Sequence, residues 1–468
     1  MNVMERNRSK GKYCLNPSST VETLLIETTD VRASMEFPDR AHLESVVDDH
    51  ELPGFARVAY EPETETLENL RERVREAVVE LSLSELERGS TVAVGVGSRG
   101  IHGLADYVRE VIDALADRGL EPVIVPAMGS HGGATPEGQR EVLESLGVTE
   151  AAMGAPIDAR MAVEEVGAVT VGDTPTPVYV SRAALEADAL LVVNRVKPHT
   201  NFTGRLESGL CKMTVVGLGK REGANAFHST AIAEGYVPTL EALLSVVRDA
   251  LPLRGGVAIV ENADEETAQI EGVRADGFES REPELLEAAR REMATLPFDD
   301  LDLLVVDEIG KEISGAGMDT NVIGRYRVLN APDPENPDVD LIYVRGLTDE
   351  THGNGNGIGL ADLTRQSAID QLDLEQTYTN AVTSGSLAKA TLPVVAPDDE
   401  LAVHIALGAL GGYDPERARI VRIRNTTDLS ELHVSEALLE DADTSADLEV
   451  LEREQLVFED GTMRFVPR

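Results

Sequence analysis

Residues 91–147 read TVAVGVGSRGIHGLADYVREVIDALADRGLEPVIVPAMGSHGGATPEGQREVLESLG, and the spacing of their apolar residues changes repeatedly along the stretch. TVAVGV is short, β-branched and apolar on both faces, as a strand buried inside a sheet must be. GLADYVREVIDALADRG sets apolar residues three and four apart and closes on Gly119, so it predicts an amphipathic helix with a glycine stop. PVIVPAMGS repeats the buried strand. Thr135 and Pro136 then open a second helix, with threonine as N-cap and proline at the first helical position. Strand, helix, strand, helix is the alternation of a parallel sheet covered by helices.

Working outward, LENLRERVREAVVEL before this stretch has helical spacing, and further strand-like runs follow at 189–194, 257–261 and 303–307. At 468 residues the chain exceeds one ordinary core. The expected fold class is α/β, with two domains each built around a mostly parallel sheet with flanking helices and a site in the cleft between them. A helical acidic segment, REPELLEAARREMATL, precedes FDDLDLLVVDEIG and sets a boundary near 297. Residues 1–20 are expected to be disordered, with an N-terminal domain over 21–297 and a C-terminal domain over 298–468.

Composition narrows the function classes. The chain has 84 acidic and 42 basic residues, a formal charge of −42, which repels nucleic acid. The acids are spread along the whole chain, as suits a protein kept soluble in concentrated salt, where charge repulsion is screened. No apolar run is long enough for a membrane span, and the first residues carry no apolar signal core, so a cytoplasmic protein is expected. Cys14 and Cys211 are the only cysteines, which excludes a disulfide framework and a four-thiolate zinc site. Only seven of the basic residues are lysine, and three of these, Lys197, Lys212 and Lys220, lie within 24 positions. Solubility does not explain that clustering in a chain that otherwise prefers arginine.

In parallel sheets ligands bind beyond the carboxyl ends of the strands, so the residues just after each apolar run are the informative ones. Arg99 follows the first, in a glycine turn suited to a carboxylate or phosphate. His131 follows the second and His199 the third, each able to act as a general base or metal ligand near neutrality. Lys212 sits among Leu210, Cys211, Met213, Val215 and Val216, where a lysine that loses water becomes usable as a nucleophile. Gly217, Gly219 and Gly223 around Lys220 and Arg221 have the composition of a phosphate cradle. Each has a plainer reading: a surface arginine, turn histidines bonded to backbone, a lysine whose stem packs on the core. His228 lies sixteen positions beyond Lys212, so a shared site requires a turn between them.

Taken in order, SRG at 98–100, GSHGG and PEGQ at 129–139, VKPH at 196–199, and a lysine followed sixteen residues later by histidine resemble the N-terminal domain of the nickel-pincer lactate racemase family. The resemblance implies a pyridinium mononucleotide bearing thio groups tethered to Lys212, with His228 completing square-planar nickel, and a haloarchaeal-like, divergent member. It implies His131 and His199 as bases on the two faces of the α-carbon, Arg99 on the substrate carboxylate, and racemisation or epimerisation of a 2-hydroxy acid. Homo-oligomers are compatible with it. The family's Pro-Lys-Asp segment corresponds to ISGAGMDTNVIG, with Met318 at the lysine position and Asp319 and Asn321 retained, so if the site closes between domains, residues near Met318 and His352 are expected to line its second wall. Two other readings stand beside this one: a metal-dependent hydrolase using the same histidines, and a non-catalytic module binding an anionic nucleotide through Lys212, Lys220 and Arg221.

Overall fold

Buried, β-branched strands with glycines at their exits assemble into two main sheets. The computed structural model describes residues 37–468, except 63, 82, 99 and 441–447 and the Thr383 side chain. The expected disorder over 1–20, Cys14 and Arg99 therefore lie outside the described residues. Pro38–Arg468 forms one compact unit.

The first sheet has five strands in the order Glu121–Pro126, Thr91–Val96, Ala189–Arg195, Leu253–Glu261, Thr267–Arg274. The first four run parallel and the last is antiparallel. Because both faces are covered, Val92, Val94, Leu190, Leu191, Val192 and Val193 are fully buried, which is why these strands read as continuous apolar runs. The helix Leu104–Asp117 buries Leu104, Tyr107, Val108, Val111, Ile112 and Leu115, the stripe its spacing predicts. Thr135 caps Pro136–Ser145 by accepting from the Gly138 N–H.

The second sheet has nine strands. Val394–Ala396, Leu363–Arg365, Asp338–Val344, Asp300–Val306 and Ile420–Ile423 are parallel neighbours. Glu431–Ser435, Gly54–Tyr60, Leu448–Glu459 and Thr462–Pro467 continue it antiparallel. The strand Gly54–Tyr60 thus joins the later part of the chain, although it falls within the 21–297 segment. A separate hairpin, Val163–Val171 with Thr174–Ser181, backs the helix Lys220–Glu234, where Thr176 Oγ1 and Thr230 Oγ1 lie 2.8 Å apart. Among the described residues no helix is long and apolar enough to cross a membrane.

Candidate active site

Three strand exits of the first sheet deliver the predicted residues to one place. After Thr91–Val96 comes Ser98, whose Oγ contacts His131 Nδ1 from the turn after Glu121–Pro126. After Ala189–Arg195 the chain forms a closed loop: Lys197 and Ser208 exchange both backbone hydrogen bonds, at 2.9 and 3.2 Å. Glu207, buried at 1%, fills that loop, accepting from the Gly204 N–H at 2.8 Å and from the His199 N–H. Arg290, on the helix Phe278–Glu292, pairs with the same carboxylate at 2.5 Å. Desolvation raises the Glu207 pKa, and its hydrogen bonds and Arg290 oppose that shift.

Past the loop the chain enters a short helix, Leu210–Lys212, continued by a π turn, Met213–Gly217. Such one-turn π segments alter the helical phase and recur at functional sites. Gly217 is required here, because a Cβ at that position would meet the Ala127 carbonyl at 2.5 Å. The close approach is locked by the Gly129 N–H donating to the Gly217 carbonyl at 3.0 Å, which ties the His131 turn to the Lys212 turn. From the other side Glu282, wholly buried, accepts from the Cys211 N–H at 2.8 Å. Burial pushes its pKa up to about 7 and, with Glu282 alongside, raises that of the Cys211 thiol as well.

Lys212 Nζ contacts His199 Nε2 directly. The next helix, Lys220–Glu234, carries His228 within electrostatic reach of Lys212 and His131. Although His228 is reachable by solvent, the protein packed around it holds its pKa below the ordinary histidine range, and positive charge on Lys212 or His131, whenever either is protonated, lowers it further. A neutral imidazole is the form that binds metals. Four predicted residues from separate segments, His131, His199, Lys212 and His228, are thus brought together.

The chain matches the model of a domain of unknown function, DUF362, over residues 97–324, just under half its length. No curated protein matches it in sequence. Among solved structures it is similar to the lactate racemase apoprotein from Thermoanaerobacterium thermosaccharolyticum, at 12% identity and a TM-score of 0.43, over 80% of this chain and 89% of that one.

Other expectations change. Lys220 is no solvent-facing phosphate ligand: it is fully buried, and its Nζ donates to the Pro126 carbonyl at 2.6 Å and to Gln139 Oε1 at 2.9 Å. Gln139 in turn donates to the Gly129 carbonyl at 3.0 Å, so Lys220 braces the His131 turn. Burial lowers its pKa to about 8, and Asp158 opposes that shift. A Cβ on Gly219 would meet the Val215 carbonyl at 2.6 Å, so the space beside Gly217 and Gly219 is filled by the protein itself. Met318 is wholly buried in the core of the second sheet and lines no wall.

Of the residues that do reach across, Asn321 belongs to the segment the sequence motif marked, whereas Thr320 and Lys389 were not named individually. Thr320 Oγ1 donates to the Thr200 carbonyl at 3.0 Å, and Asn321 Nδ2 to the His199 carbonyl at 3.4 Å. Lys389, 2% exposed, donates to the Thr200 carbonyl at 3.1 Å and to Asn201 Oδ1 at 2.8 Å. The scarcity of lysine was the available signal for Lys389. Nothing local marked Thr320.

Among the described residues no three of His, Cys, Asp and Glu converge to hold a metal ion. The imidazole of His228 and the amine of Lys212 are the donor and the nucleophile that the expected metal-bearing mononucleotide would need from the protein.

Proposed function

We propose that the chain is an isomerase that inverts a 2-hydroxy acid at its α-carbon, with a nickel-pincer mononucleotide held by Lys212 and His228. The observation that carries this reading is the convergence of Lys212, His199, His131 and His228, named by motif order in a chain where lysine and histidine are scarce. When bound, the group supplies a reversible hydride acceptor at the α-carbon.

The chain's own residues supply binding and proton transfer. Lys212 is the covalent attachment residue, and His228 offers a neutral imidazole to nickel. His131 and His199 exchange the hydroxyl proton from the two faces of the substrate, contributions of about 100- to 10,000-fold each. With Ser98 on His131 Nδ1, proton exchange at that residue is assigned to Nε2. Glu207 with Arg290 and Lys389 with Asn201 hold the His199 loop, and such positioning is needed for transfer at a fixed atom. Arg99, by the sequence resemblance, binds the substrate carboxylate.

The two alternatives find less support. A hydrolase centre of three protein ligands has no such set among the described residues. An anion-binding module through Lys212, Lys220 and Arg221 would need Lys220 at the surface, and it is wholly buried. The test is to give loaded protein single enantiomers of 2-hydroxy acids carrying deuterium at the α-carbon. Inversion with deuterium retained is expected. Inversion with deuterium lost to solvent, or no inversion of any acid by loaded protein, would overturn the reading.

A further inference from the structure

The contact between His199 and Lys212 determines how protons are shared between them. Asn201 donates its backbone N–H to His199 Nδ1 at 3.1 Å. Asn201 is itself held by Lys389 through its side-chain oxygen, and the preceding Thr200 carbonyl is held by Lys389 and Thr320. A neutral imidazole has one acceptor nitrogen and one N–H donor. With Nδ1 accepting, the hydrogen is on Nε2, and Nε2 is the atom against Lys212 Nζ. An ammonium has three N–H donors and no lone pair, so it would oppose one donor with another, whereas a neutral amine supplies the acceptor.

We infer that His199 donates its Nε2–H to Lys212 and holds that lysine as a neutral, nucleophilic amine, so that the unloaded protein condenses at Lys212 with electrophilic carbonyl compounds at neutral pH. The inference rests on the reading of Lys212 as the attachment residue and adds to it a reason for selectivity over the other lysines. Among the described residues, the titratable groups around the pair include His228 and His131, Glu207 with Arg290 behind the His199 loop, Glu282 and Cys211 behind the Lys212 turn, and Lys389 beyond Asn201. Glu207 is engaged by two backbone N–H groups and Arg290, and Glu282 accepts the Cys211 N–H through Oε2.

In the condensation the amine lone pair forms the nitrogen–carbon bond, and the carbonyl π pair moves to oxygen. That oxygen takes the His199 Nε2 proton, and the nitrogen returns a proton to the imidazole, leaving a neutral carbinolamine. Loss of water gives the imine, which an added hydride reagent reduces to a stable secondary amine.

The test uses protein from a host that does not make the cofactor, treated at pH 7 with glyoxylate and sodium cyanoborohydride and read by peptide mapping, with Lys197 as internal reference. Lys212 is expected to label at least ~10-fold faster than Lys197. His199→Phe, which keeps an aromatic ring against Phe202, should bring the ratio close to one. Equal labelling of the two lysines in the unaltered protein would overturn the inference. Nitrogen-15 histidine spectra of the same protein give a check independent of any variant: hydrogen on His199 Nε2 is expected, and hydrogen on Nδ1 would overturn it. An adduct on Lys212 in a cofactor-making host, together with an unreactive apo amine, would remove this inference while leaving the proposed function standing.

Discussion

Parallel strands end in charged residues in both sheets of this protein, and the two ends dispose of those charges differently. In the second sheet Arg345, just past Asp338–Val344, bridges Asp307 and Asp399, each at 2.6 Å. Arg365 reaches Asp399 at 3.1 Å, Tyr343 donates to it at 2.6 Å, and Arg422 pairs with Asp307. Burial pushes the Asp399 pKa up, but Arg345 and the other donors bring the net shift below the usual carboxylate value. Each of these charges meets its opposite. In the first sheet Arg195 and Glu261 pair at the strand ends in the same way, but the loops beyond also bring histidine against lysine and a second histidine nearby, groups of like potential charge. Opposite charges closed on one another make a fold element; like ones gathered at strand ends require a function to explain them.

Substitutions in the two sheets should separate activity from stability. Lys212→Ala should remove isomerisation to the assay floor, at least ~1000-fold, while leaving stability within about 1 kcal/mol, because it removes the attachment atom and little packing. Kinetics and urea denaturation on one preparation check both halves. Asp399→Ala should do the reverse, costing about 3–5 kcal/mol in unfolding free energy by stranding Arg345 and Arg365, with the proton chemistry of the folded fraction intact. His131→Ala should lower turnover about 100-fold with a smaller change in KM, since a proton-transfer group acts mainly in the transition state.

The smallest effect concerns pH. The Glu282 pKa is raised by burial to about 7 from an ordinary 4.5. A raised carboxyl favours folding below the unfolded value, and that contribution is lost as pH rises through the folded one. Stability should therefore fall between pH 5 and 8 more in the unaltered protein than in Glu282→Gln. Thermal melts at the two pH values should differ between the proteins by on the order of a few degrees.

Strands, helices and the Thr135 cap were legible because each depends on local spacing, and the four residues His131, His199, Lys212 and His228 were legible because strand ends and residue scarcity mark them. Glu207, Glu282 and Lys389 were not, since a buried ionisable group is identified by what surrounds it, and those surroundings come from distant segments. The same limit explains Lys220 and Met318. Glycines around a lysine have the composition of a phosphate cradle, yet Gln139 and the Pro126 carbonyl had already taken the ammonium. A methionine in a motif position says nothing about facing the core. Gly54–Tyr60 alternates too weakly to reveal which sheet it joins.

The central claim, that Lys212 and His228 together hold a nickel-bearing nucleotide, is tested most directly by intact mass and metal content of protein made in a cofactor-producing host. The account predicts a covalent adduct of nucleotide size that maps to the Lys212 peptide, with one nickel per chain that is lost in His228→Ala while the adduct remains. Unmodified protein without nickel from that host, or zinc bound with no adduct, would contradict it.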